Sequence, residues 1–145
     1  FGEHGDTSFI PWSGAYVSGV SLDEYYETVE KMGKNVTKFD KDAMLEYVRT
    51  SGGQVIANKG ATFYAVSVAV CKLVATILSS SDSVATVSSM MHGEYGIEDV
   101  CLSTLTLVGP KGVQGKIPMR MTKEEVEKLK ASADALKAVI AQIEH

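Results

Sequence analysis

Residues 84–121 read VATVSSMMHGEYGIEDVCLSTLTLVGPKGVQGKIPMRM. Three β-like segments stand out, at 84–91, 100–108 and 115–121. Between them lie His92-Gly93-Glu94-Tyr95-Gly96 and Gly109-Pro110-Lys111-Gly112, both of turn composition. These gaps are too short for the crossovers that parallel strands require, so the segments are expected to form an antiparallel meander.

Helices are expected on both sides of the meander. Downstream, Thr122 and Glu125 have capping-box spacing. Val126, Leu129, Ala133, Leu136, Ile140 and Ile143 then keep helical period to the chain end. Upstream, residues 63–78 are apolar nearly all round, which predicts a helix at the centre of the core, capped by Thr62. Residues 40–58 carry Met44, Leu45, Val48, Val55 and Ile56 as one apolar stripe, and Lys59-Gly60 ends that helix. Gly52 and Gly53 lie inside it. Each glycine costs a helix interior about 1 kcal/mol relative to alanine, so the pair needs a reason, either close packing or space for a ligand. Further upstream, 12–20 read as a strand, 23–31 as a short helix, and 33–38 and 1–6 as loops. The order strand, helices, strands, helix is α+β. It lacks the strand-helix alternation of a doubly wound nucleotide domain, and no GxGxxG is present to bind a dinucleotide pyrophosphate.

The bulk properties fit one ordinary domain: 145 residues, 45% hydrophobic and 22% charged. A net charge of −4 argues against nucleic acid or an acidic membrane surface as partner. The apolar run at 61–78 is broken by Lys72 and by hydroxyls, so a core helix fits it better than a membrane span. Cys71 and Cys101 sit in apolar stretches and read as reduced, buried thiols. The start is polar and acidic, without a secretory pattern. Beginning at Phe1 rather than Met, the chain is expected to be part of a longer one.

Chemistry concentrates in Gly2-Glu3-His4-Gly5-Asp6. A histidine between glycines and acids has three readings: a general acid/base titrating near neutrality, a metal ligand, or a solvated surface residue. The metal reading is poor, because His92 and His145 are distant and no pair stands at ligand spacing.

Gly2-Glu3-His4-Gly5-Asp6-Thr7 resembles the GEHGD(S/T) motif of the L-lactate dehydrogenases, and Trp12-Ser13 follows at the family's interval. Lys59-Gly60-Ala61-Thr62-Phe63-Tyr64 resembles the family's KGAT(F/Y)Y segment, and Gly93-Glu94-Tyr95-Gly96-Ile97 its G-x-YG-(I/L) turn. Leu107-Val108-Gly109 with Gly112-Val113 is similar to its late hairpin, and Thr122-Lys123-Glu124-Glu125 to the start of its final helix. The related malate dehydrogenases usually carry GGHG, so Glu3 favours the lactate branch.

The resemblance implies an α+β C-terminal substrate domain over residues 1–145, with the NAD-binding Rossmann domain absent from this chain. It implies that His4 exchanges a proton with the keto oxygen of pyruvate or the hydroxyl of L-lactate. It places Thr62 beside the substrate, where its other reading is a helix cap, and Val66 against the nicotinamide, where its other reading is core packing. Gly52 and Gly53 depart from the family, which more often has alanine, then alanine or a bulky residue. Gly52 then either enlarges the substrate pocket or permits a close helix contact. The aspartate that orients the histidine and the two arginines that grip and polarise the substrate precede the motif in the family, so the chain alone is expected to be inactive. A cytoplasmic homotetramer is implied for the whole enzyme, which would serve fermentative glycolysis. The competing readings are half of a branched-chain L-2-hydroxyacid dehydrogenase and a non-catalytic oligomerisation or binding domain.

Overall fold

A computed structural model describes residues 1–143, so His145 lies outside the described residues. The meander is present. Strands β3 (Ser83–His92), β4 (Glu98–Gly109) and β5 (Gly112–Lys116) form an antiparallel sheet in that order, after a short pair, β1 (Tyr16–Val17) and β2 (Val20–Ser21). Ser83 pairs with Val108 and Met90 with Cys101, and the register shifts by one before His92 pairs with Glu98. The β3–β4 turn uses left-handed backbone at Gly93, Tyr95 and Gly96 and closes with Gly93 N–H donating to the Ile97 carbonyl at 2.9 Å. The third strand is displaced from 115–121. Gly112, at φ +79°, lets β5 start directly after a two-residue turn. Pro118, which has no N–H, follows just after its end.

Along β4 the even-numbered side chains Val100, Leu102, Thr104, Thr106 and Val108 are buried. Val100 and Leu102 join the core with Phe9 of the N-terminal loop, Met91 of β3, and Leu129 and Ala133 of helix α4 (Lys123–Ile140). The capping box of α4 is formed as expected, with Thr122 accepting from the Glu125 amide and the Glu125 carboxylate from the Thr122 amide. The helix stops at Ile140, however, and Ile143 is exposed.

The other elements depart further from expectation. Instead of one strand at 12–20 there is a 3₁₀ turn at Trp12–Gly14 and a tight hairpin of β1 (Tyr16–Val17) and β2 (Val20–Ser21). Ser18 and Gly19 both have positive φ, the geometry that reverses a chain between two strands. Helix α1 (Leu22–Lys31) follows, with a Ser21–Glu24 capping box. Helix α2 (Lys41–Lys59) is capped by Asp40 and ended by Gly60 at φ +83°, close to the expected span.

Helix α3 (Tyr64–Leu78) is not at the centre of the core. Neither α2 nor α3 has a buried residue. A cleft of about 650 Å³ lies between α3 and β3, and Val66, Val70 and Val74 are about half exposed. An apolar helix is buried only where another element covers each face, and here the sheet reaches α3 on one side only. Thr62 does not cap it: Phe63 holds the N-cap position, without a side-chain hydrogen bond. Thr62 lies one residue too early for its hydroxyl to reach the first free amides. Both cysteines are free and exposed rather than buried, Cys71 on α3 and Cys101 on the odd-numbered face of β4. Among the described residues, no helix is long and apolar enough to cross a membrane.

Candidate functional site

The motif loop is fixed to the sheet at its start. Gly2 and Ser103 of β4 exchange two backbone hydrogen bonds, of 3.1 and 2.9 Å. Phe9 N–H returns to the Phe1 carbonyl at 3.1 Å, which closes the loop over the core. Inside it, the Glu3 carboxylate accepts from the Thr7 amide at 3.1 Å and the Thr7 hydroxyl at 2.5 Å. These two bonds, the hydroxyl's first, hold the Glu3 carboxyl below its ordinary pKa, against a smaller opposing effect of burial. The Glu3 amide donates to Ser132 Oγ of α4 at 2.7 Å, and Thr7 Oγ1 lies 2.9 Å from the same oxygen.

His4 stands at the crest of this loop, exposed, and its ring makes no hydrogen bond among the described residues. It borders two clefts. One, of about 310 Å³, is shared with Asp6, Ser8, Val48, Arg49 and Gly52. The other, of about 410 Å³, lies toward Glu3, Met90, Asp99 and Cys101 and is mainly apolar. His4 and Gly52, 48 positions apart, thus share one cleft. A Cβ on Gly52 would meet nothing within 4 Å, so no close helix contact among the described residues accounts for the glycine.

Arg49 is a cleft residue that sequence reasoning missed. Its guanidinium donates to the Ser8 carbonyl, tying α2 to the motif loop, and it lines the same cleft as His4. It is one of two arginines in the chain and lies three residues before Gly52, on a neighbouring part of the helix surface. That spacing was the available signal. With a titratable imidazole and a guanidinium on its walls, the cleft suits a small anion that must gain or lose a proton.

Thr62 and Val66 do not line either cleft. Both are exposed, beyond the C-terminal end of α2, where Lys59 Nζ sits 4.0 Å from the Phe63 ring centroid and 3.6 Å from that of Tyr64. From Gly52 to Lys59 the helix rises about 10 Å, which separates this corner from the His4 cleft. No group of three or more His, Cys, Asp or Glu side chains among the described residues is arranged to hold a metal ion.

The whole chain, residues 1–145, matches the family described as lactate/malate dehydrogenase, alpha/beta C-terminal domain. It is 41% identical over 143 residues to an L-lactate dehydrogenase of Thermoanaerobacterium saccharolyticum, covering 99% of this chain and 45% of that protein. With an L-lactate dehydrogenase of Acetivibrio thermocellus the identity is 36% over 143 residues, with 99% and 44% coverage. The fold superposes on a ligand-bound minor L-lactate dehydrogenase from Enterococcus mundtii with a TM-score of 0.87 at 30% identity, covering 98% of this chain and 44% of that one. The chain therefore spans less than half the length of these relatives.

Proposed function

The chain belongs to the lactate/malate dehydrogenase family as its alpha/beta C-terminal domain, and from that we propose that residues 1–145 are the substrate-binding, proton-transferring half of an NAD-dependent L-lactate dehydrogenase. The observation that carries this reading is His4, exposed at the crest of a loop docked on β4 and α4, at a cleft it shares with Gly52 and Arg49. In the proposed reaction the protonated imidazole gives its proton to the keto oxygen of a 2-oxo acid. In reverse, the neutral imidazole takes the hydroxyl proton of the 2-hydroxy acid. One group must do both near neutral pH, which suits histidine. NAD, when bound, supplies the hydride acceptor or donor. This chain offers it an apolar wall, the 55% exposed Val66 on the first turn of α3, and no glycine-rich phosphate loop. Its fit to the cofactor is therefore partial, and the nucleotide-binding half belongs elsewhere in a longer chain. Thr62 is assigned to the substrate side by the family resemblance alone; in this chain it lies at the Val66 corner, outside the His4 cleft. The isolated domain is then inactive, and the whole enzyme is a cytoplasmic oligomer. The exposed apolar faces of α2 and α3 support their being covered in that assembly.

A second reading is favoured by one observation. The open space beside Gly52 fits a 2-oxo acid bulkier than pyruvate, as a branched-chain 2-hydroxyacid dehydrogenase would take. The test uses the longer protein that carries this domain. His4→Asn should lower kcat for pyruvate reduction by about 10²- to 10⁴-fold, while NADH binding persists. Unaltered turnover would overturn the assignment.

A further inference from the structure

We propose that Ser132 of α4 is a positioning residue for the proton-transferring His4, acting through a two-hydroxyl chain that docks the motif loop. This rests on the reading of His4 given above. The argument starts from Ser132 itself. It lies among Leu129, Ala133 and Leu136 on the face of α4 that builds the core, and its exposure is 0%. A hydroxyl buried there is unfavourable unless it is matched, and serine is a weaker helix former than alanine. Its match is the motif loop, about 130 residues away in sequence: Glu3 N–H at 2.7 Å and Thr7 Oγ1 at 2.9 Å.

One proton per hydroxyl orders the chain. The Thr7 proton goes to the Glu3 carboxylate, its shortest contact at 2.5 Å. The Ser132 proton then goes to Thr7 Oγ1, and Ser132 Oγ accepts from the Glu3 amide. Two partners meet at the buried Ser132 oxygen and the Glu3 carboxylate joins through Thr7, so residues 4–6 form a bight held at both ends. The approach is so close that a Cβ on Gly2 would stand 2.6 Å from Ser132 Oγ. Glycine at that position, already at φ +93°, therefore serves the docking as well as the turn. Because the His4 ring makes no hydrogen bond of its own among the described residues, its position is inherited from this backbone. Residue 3, the amide that Ser132 holds, is its immediate neighbour.

The test uses the full-length dehydrogenase and four variants: Ser132→Ala, Thr7→Val, Thr7→Ser and, as the control on the functional reading, His4→Asn. Ser132→Ala and Thr7→Val should lower kcat by about 10- to 100-fold with KM for the 2-oxo acid nearly unchanged, as expected when a reacting group is displaced by about 1 Å. Thr7→Ser, which keeps the hydroxyl, should restore turnover. In the same Ser132→Ala protein, amide exchange across residues 2–7 should quicken by about tenfold or more, with α4 unaffected. The positioning role is overturned if Ser132→Ala keeps its kcat while His4→Asn loses it. It is equally overturned if Thr7→Ser fails to rescue. Should His4→Asn itself retain turnover, the functional reading falls and positioning falls with it, whereas exchange across 2–7 still reports on the docking alone.

Discussion

Two regions of this molecule, meeting at the His4 cleft through the motif loop and α2, are held by very different means. On one side the motif loop, β4 and α4 share a core in which Met91, Leu102 and Leu129 are fully buried. On the other side α2 and α3 are well-formed helices without one buried residue, and Leu78 is 80% exposed. The proposed proton carrier thus sits on the densely packed side. The residues proposed to shape the pocket and meet the cofactor, Gly52, Thr62 and Val66, sit on the side whose packing is incomplete within this chain. Precise placement is needed where a proton moves, and the densely packed side supplies it.

The largest expected effect contrasts the two regions directly. Leu129→Ala removes a fully buried side chain from α4 and should cost about 2–5 kcal/mol of unfolding free energy. Val74→Ala on α3, 46% exposed, should change it by no more than about 0.5 kcal/mol. Urea unfolding of this domain measures both. Repeating the pair in the longer protein that carries this domain sharpens the contrast: a Val74→Ala cost that rises to core values there would mean that the α3 face is covered in it. Equal costs for the two variants in the isolated domain would break the distinction between the regions.

What could be read from the sequence follows the same division. The meander, the α4 capping box and the Asp40-to-Gly60 limits of α2 are local features, set by turn residues and caps within a few positions. His4 could be singled out because its motif is contiguous. Burial could not be read in this way. The apolar run of α3 gives the same signal whether its neighbours lie in this chain or outside it, so the helix was expected at the core and is found at the surface. Cys71 fails with it, since its burial was inferred from the same apolar run. Cys101 fails for another reason: an apolar neighbourhood in sequence does not say which face of a strand a side chain takes. Arg49 and Ser132 were missed because their significance is a contact across 41 and 129 positions. The hairpin at Ser18-Gly19 was missed because a single glycine among β-branched residues also fits an uninterrupted strand.

Within the densely packed region, Gly2→Ala should cost about 1–3 kcal/mol, since the new methyl would meet Ser132 Oγ at 2.6 Å on a backbone of positive φ. The measurement is thermal unfolding. A Gly2→Ala protein as stable as the parent would mean that the loop can leave α4 freely, and the difference between the regions would shrink accordingly.

A smaller effect is pH-dependent. Burial pushes the Glu125 carboxyl up, but hydrogen bonds from the Ser13 hydroxyl and amide and from Thr122 together outweigh it and leave its pKa lowered. A carboxyl with a lowered folded pKa contributes stability above its unfolded pKa, about 4.3, and loses that contribution as pH falls through the folded value. Stability should therefore decline as pH falls below about 5, with Glu3 adding to the slope. Glu125→Gln should remove about 1 kcal/mol at pH 7 and make the acid slope shallower. An unchanged slope would dissociate the Ser13–Glu125 clasp from the acid response.

The smallest effect tests the sparsely packed side and has the opposite sign. Nothing lies within 4 Å of a Cβ on Gly52, which occupies the interior of an otherwise regular helix. Alanine there relieves the helix of glycine's conformational freedom without a clash, so Gly52→Ala should stabilise the domain by about 0.5–1 kcal/mol. A glycine retained where alanine is more stable has its reason outside helix stability, and among the described residues close packing does not supply one. In the longer enzyme, the proposed pocket role predicts that Gly52→Ala lowers kcat/KM for 2-oxoisocaproate relative to pyruvate. The factor should be about 10-fold, the scale of a methyl-sized change in an apolar pocket. Two results would point elsewhere: a domain destabilised by the added methyl would reveal a contact absent from this structure, and an unchanged substrate ratio would assign the glycine to packing against a segment outside this chain. Only stabilisation together with altered preference makes Gly52 a specificity residue of the sparsely packed side.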